Sequence, residues 1–290
     1  MKRWFTTFLA VLVCSAVLRA DVTIVQTTKV EGGMASMAAS AGAGNMAPTI
    51  TTRIKGSKSR ADVETGPVSV STILDLTTKQ VTILRADQKT ATIVSAVPAA
   101  AAATAPPTTP AGAAPEAKPN VTLPKVDATV TPTGKSQVID GVKCEEYTFT
   151  TRMNMGEMSG QQVPPEAAAM MQGVTMVMEG SMWVAKEVPG GAEYMAFQKN
   201  AAAGDMASAA MGASGVNVPG MEKLMKSMSA VQGLTYLTEM TINIEGTGQI
   251  AEMMKQMGAM KITTKVNSIT TDAVSDDLFK VPDGYTVIKQ

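Results

Sequence analysis

The 290-residue chain contains no histidine. That single absence removes Ser-His-Asp and Cys-His nucleophilic systems, HExxH metalloprotease chemistry and every His-based zinc site. Neither a GxxxxGK[ST] loop nor a GxGxxG turn occurs, so the usual phosphate and dinucleotide cradles are missing too, and no cofactor is expected. Aromatic residues make up 4% of the chain, so aliphatic and thioether side chains must supply most of any core. Long hydrophobic runs are also lacking. The longest, Trp4 to Val13, is shorter than the stretch of about 20 residues that spans a bilayer, and no transmembrane segment is expected after it.

That short run has the flanks of a secretory signal. Lys2 and Arg3 precede it, and Leu18-Arg19-Ala20 places a small residue before Asp21, which predicts a signal peptide over 1–20 and export to the periplasm or extracellular space. Cys14 follows Val13 where a lipidation signal wants Gly or Ala, so lipidation is not expected. The whole chain balances 25 basic against 25 acidic residues; removal of 1–20 takes Lys2, Arg3 and Arg19 but no acid, leaving a formal charge of −3. Nucleic acid is an unsuitable partner for that balance. Removal also leaves Cys144 as the one remaining cysteine, so no intramolecular disulfide can form, and Val142-Lys143-Cys144-Glu145-Glu146-Tyr147 reads as a strand with a buried thiol. Glu145-Glu146 and Asp276-Asp277 are adjacent acids; neighbours on a strand face opposite ways, so neither pair is a ready acid/base dyad. The chain is not expected to be an enzyme.

Period-two alternation recurs along the sequence. Leu234, Tyr236, Met240, Ile242 and Ile244 share one phase from Leu234 to Glu245, against Thr235, Glu239, Thr241, Asn243 and Glu245. Further strands are predicted at Val22–Val30, Ile50–Lys55, Val68–Leu76, Gln80–Arg85 and Thr90–Val97. Three more follow: one carries Tyr147, Phe149, Thr151 and Met153 on one face, the next Val174, Met176, Met178, Met182 and Val184, and the last Ile262, Thr264 and Val266. Helical spacing appears at Met221, Leu224, Met225 and Met228 and again at Ile250, Met253, Met254 and Met257. Helical pieces are also expected at Glu166–Met171 and Glu193–Ala203. Three segments look like insertions into a single β domain over 21–290: 31–47, 204–215 and the Ala/Pro-rich 98–119, which reads as a disordered loop or linker.

Nineteen of the 23 methionines fall between Met153 and Met260. Three readings follow. Met fills irregular core space; a Met-rich, aromatic-poor surface lines an adaptable apolar pocket; or thioethers bind Cu(I), for which Met153, Met155 and Met158 have the close spacing. The pocket reading selects Met176, Met178, Met182, Met225, Met228, Tyr236, Met240, Ile242, Met253 and Met257 as lining residues.

Four segments carry a resemblance: Val68–Leu76 with Gln80–Ile83, Val138–Tyr147, Met182-Trp183-Val184-Ala185-Lys186-Glu187-Val188-Pro189-Gly190, and Asp276-Asp277-Leu278-Phe279-Lys280-Val281-Pro282-Asp283-Gly284-Tyr285. Together they resemble the bacterial family called domain of unknown function 4412, the last two being the most specific. That family is similar to exported lipoprotein carriers of the LolA and LolB type. The resemblance implies an α+β fold, a curved, incompletely closed antiparallel β-barrel with a few helices on its concave face, and supplies no catalytic residues. The expected role is noncatalytic binding of a lipid, a lipidated protein or another apolar ligand. The alternatives are a Met-rich Cu(I)-binding envelope protein and a structural or partner-binding envelope module.

Overall fold

The computed structural model describes residues 21–33, 47–66, 68–95, 121–122, 125–157, 159–160, 171–203, 206, 216–217, 227, 231–256 and 258–289. A run of hairpins builds β1 (Val22–Gly32), β2 (Thr49–Lys55), β3 (Lys58–Thr65), β4 (Val68–Asp75), β5 (Gln80–Arg85) and β6 (Thr90–Ser95). After the two-residue β7 (Val121–Thr122), a second run comprises β8 (Val126–Ile139), β9 (Val142–Asn154), β10 (Ser159–Gly160), β11 (Val174–Ala185), α1 (Gly191–Ala203), β12 (Val216–Asn217), β13 (Leu234–Gly246), α2 (Gln249–Gln256) and β14 (Met260–Thr270). The terminal strand is β15 (Thr286–Lys289).

Twelve of these strands form one sheet in the order β15-β6-β5-β4-β3-β2-β1-β14-β13-β11-β9-β8. Every neighbouring pair is antiparallel except β15 with β6. The edges β15 and β8 do not pair, so the curved sheet is an incompletely closed half-barrel. Strands β7, β10 and β12 form a separate three-stranded patch. The β1–β14 ladder splices the two runs, so strands on both sides of segment 98–119 belong to one sheet.

Alternation and register assign the faces. Val22 and Ile24, in phase with Val30, enter a core with Ile54, Leu234, Tyr236 and Val266, and Phe197 of α1 packs into it. Helix α1 therefore covers this core. Each of these fully buried aliphatic side chains contributes roughly 1.5–3 kcal/mol. Helix α2 lies against β13; Ala251 is its fully buried residue. Of the other predicted helices, 221–228 falls outside the described residues except for Ser227, and 166–171 except for Met171.

The outer face of β3–β6 has its own cover. Ile73, Leu84 and Ala91 bury against Val274 and Phe279 of the C-terminal segment, with Leu278, Val281 and Tyr285 alongside. The Asp-Asp-Leu-Phe turn is a 3-10 helix over Asp276–Phe279, capped where the Asp277 amide donates to the Ser275 hydroxyl at 3.3 Å. Arg60 donates to the Leu278 carbonyl at 2.8 Å and to Asp62 at 2.7 Å, while Arg53 pairs with the second Asp62 oxygen. Ser71 donates to Asp62 at 2.6 Å. Burial pushes the Asp62 carboxyl up, but the hydrogen bonds from Ser71 and Arg60 and the charges of Arg60 and Arg53 outweigh it and hold the group below its ordinary value. At the next corner Lys55 donates to the Val274 carbonyl at 2.7 Å and pairs with Asp276 at 3.0 Å, and Asp21 accepts from the Val274 amide at 2.7 Å.

Two outcomes are expected. Because the folded Asp62 pKa lies below the unfolded one, its stabilisation is complete above the ordinary carboxylate range and is lost as pH falls through the lowered folded value. Asp62→Asn should cost about 1–3 kcal/mol at neutral pH in urea unfolding and flatten the acid limb of the stability curve; an unchanged acid limb contradicts the latch. Limited proteolysis should cut first within 98–119, whose Ala/Pro composition offers little to pack, and the two fragments should co-elute because the β1–β14 ladder joins them. Fragments that separate without denaturant would contradict a single sheet.

Candidate functional site

The inner face over β9, β11, β13 and β14 is assembled by register. Val126, Met153, Met176 and Ile244 form one cross-strand row. Ala128, Thr151, Met178, Ile242 and Met260 form the next, and Val130, Phe149, Gly180, Met240, Ile262 and Val30 a third. No residue of these rows is charged. Val126, Ala128 and Thr151 are buried, but Met153, Met176, Met178, Met240, Ile242, Ile244, Phe149, Ile262 and Met260 remain half-exposed. A fourth row ends in hydroxyls, Thr238, Thr264 and Thr28, the last two hydrogen-bonded at 2.9 Å.

The opposite phase of the same strands carries the charge. Arg152 donates to Glu245 at 2.8 Å, Lys261 pairs with Glu239 at 3.4 Å, and Asn243 donates to Glu179 at 3.4 Å. Val177, opposite both Arg152 and Asn243, is buried in this phase, as are Ala185 and Cys144 at the far end of the same ladder. Exposed ion pairs of this kind contribute about 0–1 kcal/mol each. Their effect is to keep most of the outer face wet while the inner one stays apolar.

Gly180 lies in the middle of the third row. A Cβ there would lie 2.0 Å from the Glu239 carbonyl oxygen, so β11 and β13 approach more closely than any side chain allows. Gly180 therefore contributes no side chain to the row between Phe149 and Met240.

Of the residues selected from sequence, Met176, Met178, Met240 and Ile242 meet in adjacent rows. Met182 and Tyr236, exposed 4% and 6%, belong to the buried core. The Tyr236 hydroxyl hydrogen-bonds Asp140, which pairs with Lys265 at 2.8 Å; burial first, then the Asp140 charge, pushes the phenol up. Met253 is 53% exposed on α2. Met225, Met228 and Met257 lie outside the described residues, as does Met158 of the thioether set. Phe149, Ile244, Met260, Ile262 and Val30 were not selected, although their period-two phase was visible; the missing information was which strands lie side by side.

The acids have separate occupations. Glu145 pairs with Lys186 at 2.7 Å, whereas Glu146 pairs with Lys135 at 3.3 Å and accepts from Thr133 at 2.8 Å. Asp277 pairs with Lys280 at 2.8 Å, whose hydrogen bond and charge hold its carboxyl below the ordinary value. Cys144 is fully buried, its thiol donating to the Val142 carbonyl at 3.6 Å, and burial pushes its pKa up, which keeps it neutral and a poor nucleophile. Among the described residues no group of three or more His, Cys, Asp or Glu is gathered as a metal site, and no helix is long and apolar enough to cross a membrane.

No protein-family model matches the chain, and no curated protein matches it. Among solved structures it is similar to an uncharacterized conserved protein from Thermus thermophilus, with 6% identity over 94% of this chain and 92% of that one and a TM-score of 0.37.

The close approach at Gly180 makes a specific demand. Gly180→Ala should destabilise the chain by about 2–3 kcal/mol in urea unfolding, because the partner is backbone and cannot rotate away. A loss under about 0.5 kcal/mol, the level of an ordinary surface change, would show that the strands part freely there.

Proposed function

We propose that the chain is a noncatalytic exported protein that holds a lipid or another apolar ligand against the inner face of its half-barrel. The observation that carries this reading is the row pattern: large apolar side chains from neighbouring strands, among them Met153, Met178, Ile242 and Ile262, stand together half-exposed without a charge among them. Leaving such surface in water is unfavourable by roughly 25 cal/mol per Å², so a ligand that covers it gains that amount. Thioethers suit the task because an unbranched, polarizable side chain repacks around chains of different shape. The resemblance to the domain of unknown function 4412 family and to LolA-type carriers points the same way, and the signal-like residues 1–20 favour the periplasm or extracellular space.

Native mass spectrometry of protein purified from its own envelope should reveal a co-purifying lipid mass, and a fluorescent acyl probe should bind saturably. Met178→Gln and Ile242→Gln should each weaken the probe by about tenfold, or ~1.4 kcal/mol, by placing an amide in the rows. Met253→Gln, at an exposed position of α2, should leave affinity unchanged. A ligand-free protein with no saturable uptake would make the rows ordinary core and end the carrier reading.

A further inference from the structure

We propose that a corner of the sheet built from Met153, Met155, Met171 and Met176, at the end of the apolar rows, binds a soft monovalent cation, Cu(I) or its redox-inert analogue Ag(I). Met153 and Met176 are directly opposite across the β9–β11 ladder, which sets their Cα atoms about 4.5–5.5 Å apart on one face. Met155 opens the 3-10 helix Met155–Glu157 that continues β9 and packs on β11. Met171 lies in the turn that precedes β11, where the Val174 amide donates to its carbonyl at 3.1 Å.

These pieces are fixed against one another. Asn154 accepts from the Gly156 amide at 3.2 Å and donates to Glu157 at 3.3 Å, closing the turn between Met153 and Met155. Gly156 abuts the other turn so closely that a Cβ would lie 2.9 Å from the Gln172 Cα and 3.3 Å from the Met171 carbonyl oxygen. All four methionines are half-buried, reachable from water yet held on regular structure. Spacing alone names Met158, which lies outside the described residues; the register adds Met176 from beyond an intervening stretch of chain.

The donor set selects the cation. Thioethers are soft and uncharged, so they match a soft ion and leave the charge of a divalent ion uncompensated, whereas Zn(II) and Cu(II) favour imidazole, thiolate or carboxylate. Thioethers also do not titrate. Uptake should therefore stay flat between about pH 5 and 8, where imidazole sites lose metal to protons. Cys144 takes no part: it lies nine residues back along β9, roughly 30 Å away at ~3.3 Å per residue, buried in the opposite end of the core.

The test is a titration of the purified protein with Ag(I), and with Cu(I) under anaerobic conditions, against a chromogenic chelator. One saturable equivalent is expected, unchanged across that pH range. Met153→Leu and Met176→Leu keep side-chain volume and remove sulfur, so each should lower affinity at least about tenfold while circular dichroism stays the same. Met240→Leu, two rows away, and Cys144→Ala should change nothing. No saturable uptake, uptake that survives the Met153→Leu/Met176→Leu double change, or uptake lost in Cys144→Ala would each overturn the site.

Discussion

The pairing of β1 with β14 is the constraint on which the rest of the molecule depends. Each run of hairpins could satisfy its own backbone locally, yet each would end on a long unpaired edge in the middle of what is now one sheet. The ladder from Thr23 opposite Thr270 to Gly32 opposite Met260 removes both edges together. It also brings Val22 and Ile24 onto Val266, Leu234 and Tyr236, which makes one core and gives Phe197 of α1 a surface to cover. The C-terminal segment follows from the same join, since only a chain leaving β14 beside β1 and β2 can place Val274 near Asp21 and Lys55.

The two faces of the sheet then meet different fates. Over β3 to β6 the outer face is apolar enough to need Phe279 and Val274, and the Arg60–Asp62 cluster ties that cover down. Over β9 to β14 the outer face is largely charged and needs little cover, while the inner face carries the methionines. Helix α1 covers the core around Phe197, and the rows of β9 to β14 stay half-exposed. That asymmetry makes those rows, and not the sealed core, the place where another molecule can gain from contact.

Much of this arrangement is legible in the sequence, and the exceptions have physical causes. Strand β13 and the Met-bearing β11 are plain in the sequence, but an extra residue in β13 opposite Trp183 and Val184 sets Leu234 against Ala185, so it leaves the face of Met240, Ile242 and Ile244 to which the alternation assigned it. Strand β3, Lys58-Ser59-Arg60-Ala61-Asp62-Val63-Glu64-Thr65, gives no alternation because its outward phase holds the buried polar cluster. Strand β8 contains Pro132 and Gly134, ordinarily signs of a turn; it is an edge strand with an irregularity between Pro132 and Ser136, where a missing amide and two extra residues cost little. In α2 the spacing places Met253 on an apolar stripe, but Met253 is exposed, whereas Ala251 two residues before it is fully buried. Within the site, the phase of each strand could be read, but not the order of strands, so Phe149, Ile262 and Met260 could not be joined to Met178 and Ile242.

The distance along the chain between β1 and its partner has a kinetic meaning. The side chains of Thr27 and Asn267, 240 residues apart, touch at 3.2 Å across that ladder. Loop-closure entropy must be met before such contacts return anything, so a chain of this topology folds slowly and late. During synthesis β1 emerges before every other strand of the sheet, and one of its two edges has no partner until β14 follows.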